Sequence, residues 1–270
     1  MSQINLLICG EGGQGIQTIA KAILDTANLS DNFISYIPSF GVEQRGTPSI
    51  AFLIISDKPV LYPKFNSADI CVILQQRAID SVVKYINPNT TVLFDSSTVL
   101  HTKIPKIAAK KLGLPATKYA REKFSPRSYN VIIYGAISKM TALNSDQAEE
   151  TIISVLSGKL KDKKLEESYR QAFKFGYEAV LETGKYSFAL YQTKTEINII
   201  RDQNKTAEID PNLCKGCGIC ILKCPVKALQ FGEESGVFAL PVPTIDIAKC
   251  IACGNCRRFC PDGAIGVDKK

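Results

Sequence analysis

The chain has 270 residues, 45% hydrophobic and 22% charged, with ten cysteines, one histidine and no tryptophan. That balance excludes a disordered, collagen-like or low-complexity chain, and at about 100–200 residues per domain the length suggests two domains. The formal charge of +7 falls short of a nucleic-acid binder's basic footprint.

Residues 4–9 form a short apolar run, read as a buried strand. This run is too short and too polar for a signal peptide. No stretch approaches the roughly 18 apolar residues of a membrane span. The expectation is a cytoplasmic protein with no membrane or nucleic-acid partner, whose thiols stay reduced.

The strand leads into the turn Gly10-Glu11-Gly12-Gly13-Gln14-Gly15, after which Ile16, Ile19, Ala20, Ile23, Leu24 and Ala27 recur at helical spacing. Strand, glycine turn and helix open a βαβ unit. The turn fits G-x-G-x-x-G, but a dinucleotide site also wants an acid about 20 residues on. Asp31 falls before that position and Glu43 after it. Gly10, Gly12, Gly13 and Gly15 therefore serve close packing, or a phosphate or subunit contact at the helix N-terminus. Arg45, in the polar loop 39–47, joins them as a candidate for the same contact.

Further strands are expected at 49–56, 70–74, 91–94 and 131–134, and helices at 78–85, 104–111, 146–156 and 166–182. A helical stretch to about residue 143 is expected after the last of these strands. Asn144 or Ser145 caps the third helix, and Tyr169, Phe173, Tyr177 and Val180 line one face of the fourth. Strands alternating with helices over 1–185 predict a three-layer α/β/α domain with a largely parallel sheet. Residues 186–204 lack a strong period and read as a linker. Cys9 and Cys71 read as small core residues. His101 has no acid–base partner in sight.

Residues 205–270 carry the other eight cysteines and an internal repeat with an offset of 36. Ile209-Asp210 then Cys214 matches Ile245-Asp246 then Cys250. Each half contains C-x2-C-x2-C-x3-C-P, a spacing that binds iron–sulfur clusters. Zinc prefers Cys-x2-Cys pairs set further apart. In such runs the tight loop supplies three thiolates and the fourth cysteine ligates the other cluster. Cys214, Cys217, Cys220 and Cys260 are therefore assigned to one [4Fe-4S] centre, and Cys250, Cys253, Cys256 and Cys224 to a second. Gly216 or Gly218, and Gly254, permit the sharp loop turns. Residues 231–244 form a hairpin or loop insertion between the halves. The prediction is a small α+β dicluster domain.

This last segment resembles the bacterial dicluster ferredoxins over about 206–269. The first 185 residues resemble the gamma subunit of the 2-oxoacid:ferredoxin oxidoreductases, the pyruvate synthase family. The matching pieces are the turn at 10–15, the Gly-x-Glu-x-Arg-Gly loop at 41–46, Ser56-Asp57-Lys58-Pro59-Val60 and Ala172-Phe173-Lys174-Phe175-Gly176-Tyr177. The family's delta subunit is a dicluster ferredoxin, so the chain resembles gamma and delta fused head to tail.

The resemblance implies oxidation of a 2-oxoacid with CoA to acyl-CoA and CO2, with electrons passing to ferredoxin. Pyruvate is the default substrate. Thiamine diphosphate and Mg are expected on partner alpha and beta subunits, and no catalytic residue on this chain. CoA is a further expected partner. Residues 103–127 carry eight basic residues against Glu122, either a solvated face or an attractor for CoA or an acidic ferredoxin. Two rival readings stand beside this one: a stand-alone electron carrier with an added α/β domain, and a flavin or NAD reductase module.

Oxidised clusters with four thiolates each carry about −2. The nine basic and seven acidic residues of 205–270 then sum to an acidic domain joined to a basic one.

Overall fold

The structure, a computed structural model, describes residues 3–41, 47–108, 110–125, 128–157, 163–179, 182–183, 196–237 and 240–269. The chain divides into two compact units, Met1–Leu190 and Tyr191–Lys270.

In the first unit the opening apolar run forms β1 (Ile4–Glu11), and α1 (Ile16–Leu29) follows the glycine turn. The sheet is completed by β2 (Phe33–Phe40), β3 (Pro48–Ser56), β4 (Ile70–Ile73), β5 (Thr91–Asp95), β6 (Lys110–Leu114) and β7 (Glu182–Thr183). The seven strands lie in the order β2-β3-β1-β4-β5-β6-β7. The central four, β1, β4, β5 and β6, run parallel. β3 is antiparallel to both its neighbours, and β7 to β6.

Alternation along β1 sets the layers, because successive side chains point to opposite faces. Leu6 and Ile8 enter one buried cluster, Leu7 and Cys9 the other. With both faces covered, the strands read as unbroken apolar runs. The first face carries α1 with α4 (Tyr129–Met140), α5 (Ser145–Ser157) and α6 (Lys163–Glu178). The second carries a thinner layer: the turns Gln76–Ala78 and Val83–Tyr85, α2 (Ile79–Val82) between them, and Val99 and Ile104. The three-layer α/β/α expectation is met. Asn144 caps α5, its side-chain oxygen accepting from the backbone N–H of Asp146 and Gln147 at 3.0 Å each.

Three local expectations are corrected. Residues 131–134 lie inside α4, not in a strand; Val131, Ile132, Ile133 and Tyr134 are all fully buried, so the run lacks the polar stripe that marks a helix. Residues 104–111 form no helix: Lys110 and Lys111 begin β6, where they pair with Thr91 and Val92 of β5. The ladder overrides the helix propensity of a Lys- and Ala-rich segment. The stretch read as a linker contains β8 (Asn198–Arg201), discussed below. Val180 and loop residues 42–46, with Arg45, lie outside the described residues.

An unforeseen helix, α3 (Ala116–Lys123), starts on Asp95 at the end of β5. The Asp95 carboxylate accepts from the Thr117 N–H at 3.1 Å and the Thr117 hydroxyl at 2.5 Å. Burial pushes the Asp95 carboxyl up, against the pull of these hydrogen bonds.

The second unit is built on two small sheets. β8 pairs antiparallel with β9 (Lys205–Ile209), and β9 with β12 (Ile265–Lys269). β10 (Leu229–Ser235) and β11 (Pro241–Ile245) form a hairpin. Two short helices, α7 (Ile219–Leu222) and α8 (Asn255–Phe259), follow the cysteine loops. Ala207, Ile209, Leu229, Ile245, Ile265 and Val267 form the core between them.

Candidate functional site

The 36-residue repeat is reproduced hydrogen bond by hydrogen bond. Asp210 donates its N–H to the Ala264 carbonyl, and Asp246 to the Ala228 carbonyl, at 2.8 Å each. The Asp210 and Asp246 carbonyls accept from Cys214 and Cys250. Left-handed backbone recurs in register: Gly216 with Ala252, Gly218 with Gly254, Lys227 with Gly263. These bends turn backbone N–H groups onto sulfur. Gly216 donates to Cys214 Sγ at 3.4 Å and Ala252 to Cys250 Sγ at 3.3 Å. Ala228 donates to Cys224 Sγ at 3.2 Å and Ala264 to Cys260 Sγ at 3.3 Å.

The loops enclose two cavities. Cys214, Cys217, Cys220 and Cys260 line one of about 360 Å³, with Lys215, Gly218, Pro243 and Asp262. Cys224, Cys250, Cys253 and Cys256 line the other, of about 320 Å³, with Val226, Ile251, Ala252 and Gly254. Three cysteines of each set come from one motif and the fourth from the other. Cys220 and Cys256 are buried, whereas Cys217 and Cys253 reach solvent.

The residues present fit a cluster of irons. The donor set is four thiols around one volume, and thiolate is the ligand of iron–sulfur clusters. Among the described residues, no three His, Cys, Asp or Glu side chains close on a single-ion point. Burial pushes the Cys214 thiol up to about 11 and the Cys220 thiol up to about 12; Cys256 moves the same way for the same reason. Bound cations reverse that preference and hold the sulfurs as thiolates.

Gly216 is the tightest point of the first loop. A Cβ there would stand 2.6 Å from Leu240 Cβ and 2.9 Å from the Pro241 carbonyl, on a backbone with φ +63°. At Gly254 nothing lies within 4 Å. Gly216→Ala is expected to distort the first loop and lower iron retention in its cavity, while Gly254→Ala costs about 1 kcal/mol of backbone strain and retains iron. Iron and sulfide assays of the two purified variants check this.

The glycine turn of the first unit is filled from within. The Gln14 side chain accepts from the Glu11 N–H at 2.8 Å and donates to the Leu74 carbonyl at 3.1 Å. A Cβ on Gly10 would meet that side chain at 2.5 Å, and one on Gly15, at φ +76°, would meet Asn130 Nδ2 at 2.8 Å. The Tyr129 hydroxyl donates to the Gln14 carbonyl at 2.6 Å. These contacts account for Gly10 and Gly15 by close packing. The Glu11 side chain within the turn is buried, and Arg77 Nη1 lies 3.7 Å from its carboxylate.

The His101 ring lies beside Phe94, with centroids 6.2 Å apart and planes tilted by 42°. Cys9 and Cys71 are buried. In the basic stretch, Lys118 lies 4.0 Å from Glu122 and Lys123 lies over the Tyr119 and Phe175 rings.

Sequence reading passed over Lys215 and Asp262. A signal was present: aligning the repeats sets Lys215 against Ile251 and Asp262 against Val226.

Residues 5–179 match the family pyruvate ferredoxin/flavodoxin oxidoreductase. The chain belongs to that family. Residues 213–264 match the 4Fe-4S dicluster domain, an electron-transfer module. A 2-oxoglutarate synthase subunit KorC of Methanocaldococcus jannaschii is 33% identical over 179 residues, 65% of this chain and 92% of that protein. A pyruvate/ketoisovalerate oxidoreductases common subunit gamma of Thermococcus litoralis is 32% identical over 177 residues, 63% of this chain and 95% of that protein. The crystal structure of a keto/oxoacid ferredoxin oxidoreductase gamma subunit from Geobacter sulfurreducens covers 66% of this chain and 96% of its own, with a TM-score of 0.55 at 24% identity; that likeness supports the fold. This oxidoreductase-family chain thus joins the alignable domain to a dicluster domain. No described helix is long and apolar enough to cross a membrane.

Proposed function

We propose that the chain unites the gamma and delta functions of a 2-oxoacid:ferredoxin oxidoreductase, relaying electrons through two [4Fe-4S] clusters to an external ferredoxin. The observation that carries this reading is the pair of four-cysteine cavities in a chain whose larger part belongs to the oxidoreductase family.

The clusters, when bound, supply one-electron transfer. Cys214, Cys217, Cys220 and Cys260 would hold the first, and Cys250, Cys253, Cys256 and Cys224 the second. The backbone N–H groups of residues 216, 228, 252 and 264 would donate to the ligand sulfurs and so favour the extra negative charge of a reduced centre. In this reading thiamine diphosphate and Mg sit on alpha and beta subunits, which perform the decarboxylation and bring CoA to it. The relatives named above differ in their 2-oxoacid and leave the substrate open: pyruvate is the default, beside 2-oxoglutarate, ketoisovalerate, arylpyruvates and oxalate.

Anoxic affinity purification of the tagged chain from its own cell tests this. The expected result is co-purification of two further chain types with thiamine diphosphate, and viologen reduction by one 2-oxoacid in the presence of CoA. A chain that purifies alone with its clusters would establish the stand-alone carrier instead.

A further inference from the structure

The two cavities are alike in most of what tunes an iron–sulfur centre. Each is lined by four cysteines, with one buried thiol on its short helix and one exposed thiol on its loop. Each receives backbone N–H···S bonds at matching positions and nearly equal lengths. Where they differ is in the charge of the residues that line them. Lys215 Nζ and Asp262 Oδ1 stand 3.0 Å apart, with side chains 10% and 13% exposed, and both line the first cavity. The equivalent positions, Ile251 and Val226, line the second.

The hairpin sharpens this difference. The aromatic ring of Phe231 lies against Gly218, Leu240 against Gly216, and Pro243 lines the first cavity. Val237 donates its N–H to the Cys214 carbonyl at 2.8 Å. No such cover meets the second loop at Gly254. Charges beside the first cavity therefore act in a drier medium, where they count for more.

We propose that Lys215 and Asp262 set the reduction potential of the cluster in the first cavity, independently of the second. Reduction adds an electron to an already anionic centre. The Lys215 ammonium favours that added charge, and the Asp262 carboxylate opposes it. The ion pair is a balance of two opposed settings at lining positions that are apolar in the second repeat, where the nearby charge is instead Lys205, paired with Asp202 and donating to the Cys250 backbone carbonyl at 2.7 Å. The inference rests on the reading that both cavities hold [4Fe-4S] clusters.

The test is a potentiometric titration followed by EPR on the purified complex, with iron and sulfide assayed in each sample. Lys215→Met is expected to lower the midpoint of one cluster and Asp262→Asn to raise the midpoint of the same cluster. Each shift corresponds to about a tenfold change in the oxidised-to-reduced ratio, roughly 59 mV for one electron. The double variant falls between them, Lys215→Arg stays near the parent, and the other cluster does not move. A pair that merely clasps the two halves together would shift the midpoint the same way in both single variants, or lose iron in both; either result overturns the proposal, as do unmoved midpoints at full iron. A parent protein without two clusters' worth of iron and sulfide would instead overturn the cluster reading itself.

Discussion

Cys260→Ala is expected to cost the chain about half of its iron, from about eight atoms to about four, and to take that iron from the first motif's site. Cys260 belongs by sequence to the second motif, yet it lines the cavity of Cys214, Cys217 and Cys220. The loop explains why. Left-handed residues 252 and 254 wrap Cys250, Cys253 and Cys256 around the second cavity, and α8 then carries the chain away from it. Cys260 leaves α8 in extended conformation, where the Ala264 N–H meets its sulfur at 3.3 Å. Comparison of EPR spectra assigns the loss. Cys260→Ala should remove the same signal as Cys217→Ala, while Cys224→Ala and Cys253→Ala should share the other. If Cys260→Ala matched Cys253→Ala, each motif would be a self-contained site and the exchange of ligands between halves would be wrong. With the clusters in one relay, as proposed, each of the four variants is also expected to lose most acceptor reduction.

The cavities were legible in the sequence because a cluster demands thiolates at short, fixed spacing, and such spacing survives without knowledge of the fold. The charge difference between them was legible in principle at 215, 226, 251 and 262. Its burial was not, since the hairpin that covers only the first loop shows in the sequence as an insertion with no stated direction. In the first unit, β1, its turn and α1 could be read because Ile16, Ile19 and Ile23 face the sheet and leave a polar stripe outside. α4 could not, since helices and the sheet bury it on every side and erase the period at Val131–Tyr134. α3 was hidden for another reason: its first turn is held by Asp95, more than twenty residues earlier in the chain. β8 was missed because its residues alternate between half-buried and exposed, too weak a contrast to mark a strand. At the turn 10–15 the packing role of two glycines needed the fold to be seen. Its glycines fit a phosphate pattern by spacing alone, whereas the contact that excludes a side chain at Gly10 comes from Gln14, folded back over it.

The largest loss of stability is expected from Gly176→Ala. A Cβ at Gly176 of α6 would stand 2.0 Å from the Ile132 carbonyl oxygen and 2.7 Å from its carbon, both backbone atoms of α4. The contact is reciprocal: a Cβ at Gly135 of α4 would stand 2.4 Å from the Phe173 carbonyl oxygen and 2.9 Å from the Tyr177 nitrogen. The two helices thus touch backbone to backbone through their glycines. A clash with a side chain is relieved by a new rotamer, but one with backbone requires the helices to part. Parting would open the packing of Tyr134 against Phe173, whose ring centroids are 5.7 Å apart, and of Tyr134 against Thr26, whose hydroxyls are 2.8 Å apart. Overpacking a well-filled core costs about 1–3 kcal/mol, and a backbone clash belongs at the upper end. For a unit of this size that lowers the melting temperature by roughly 6–12 °C. Gly135→Ala should act in the same direction, and the double variant should fall short of the sum, because one separation of the helices relieves both clashes. Thermal unfolding of the full chain, followed by far-ultraviolet circular dichroism, measures the loss, while cluster absorbance reports on the second unit separately. A melting temperature unchanged by Gly176→Ala would mean that α4 and α6 stand further apart than their glycines allow. The closeness of these helices would then have no part in holding the first unit together.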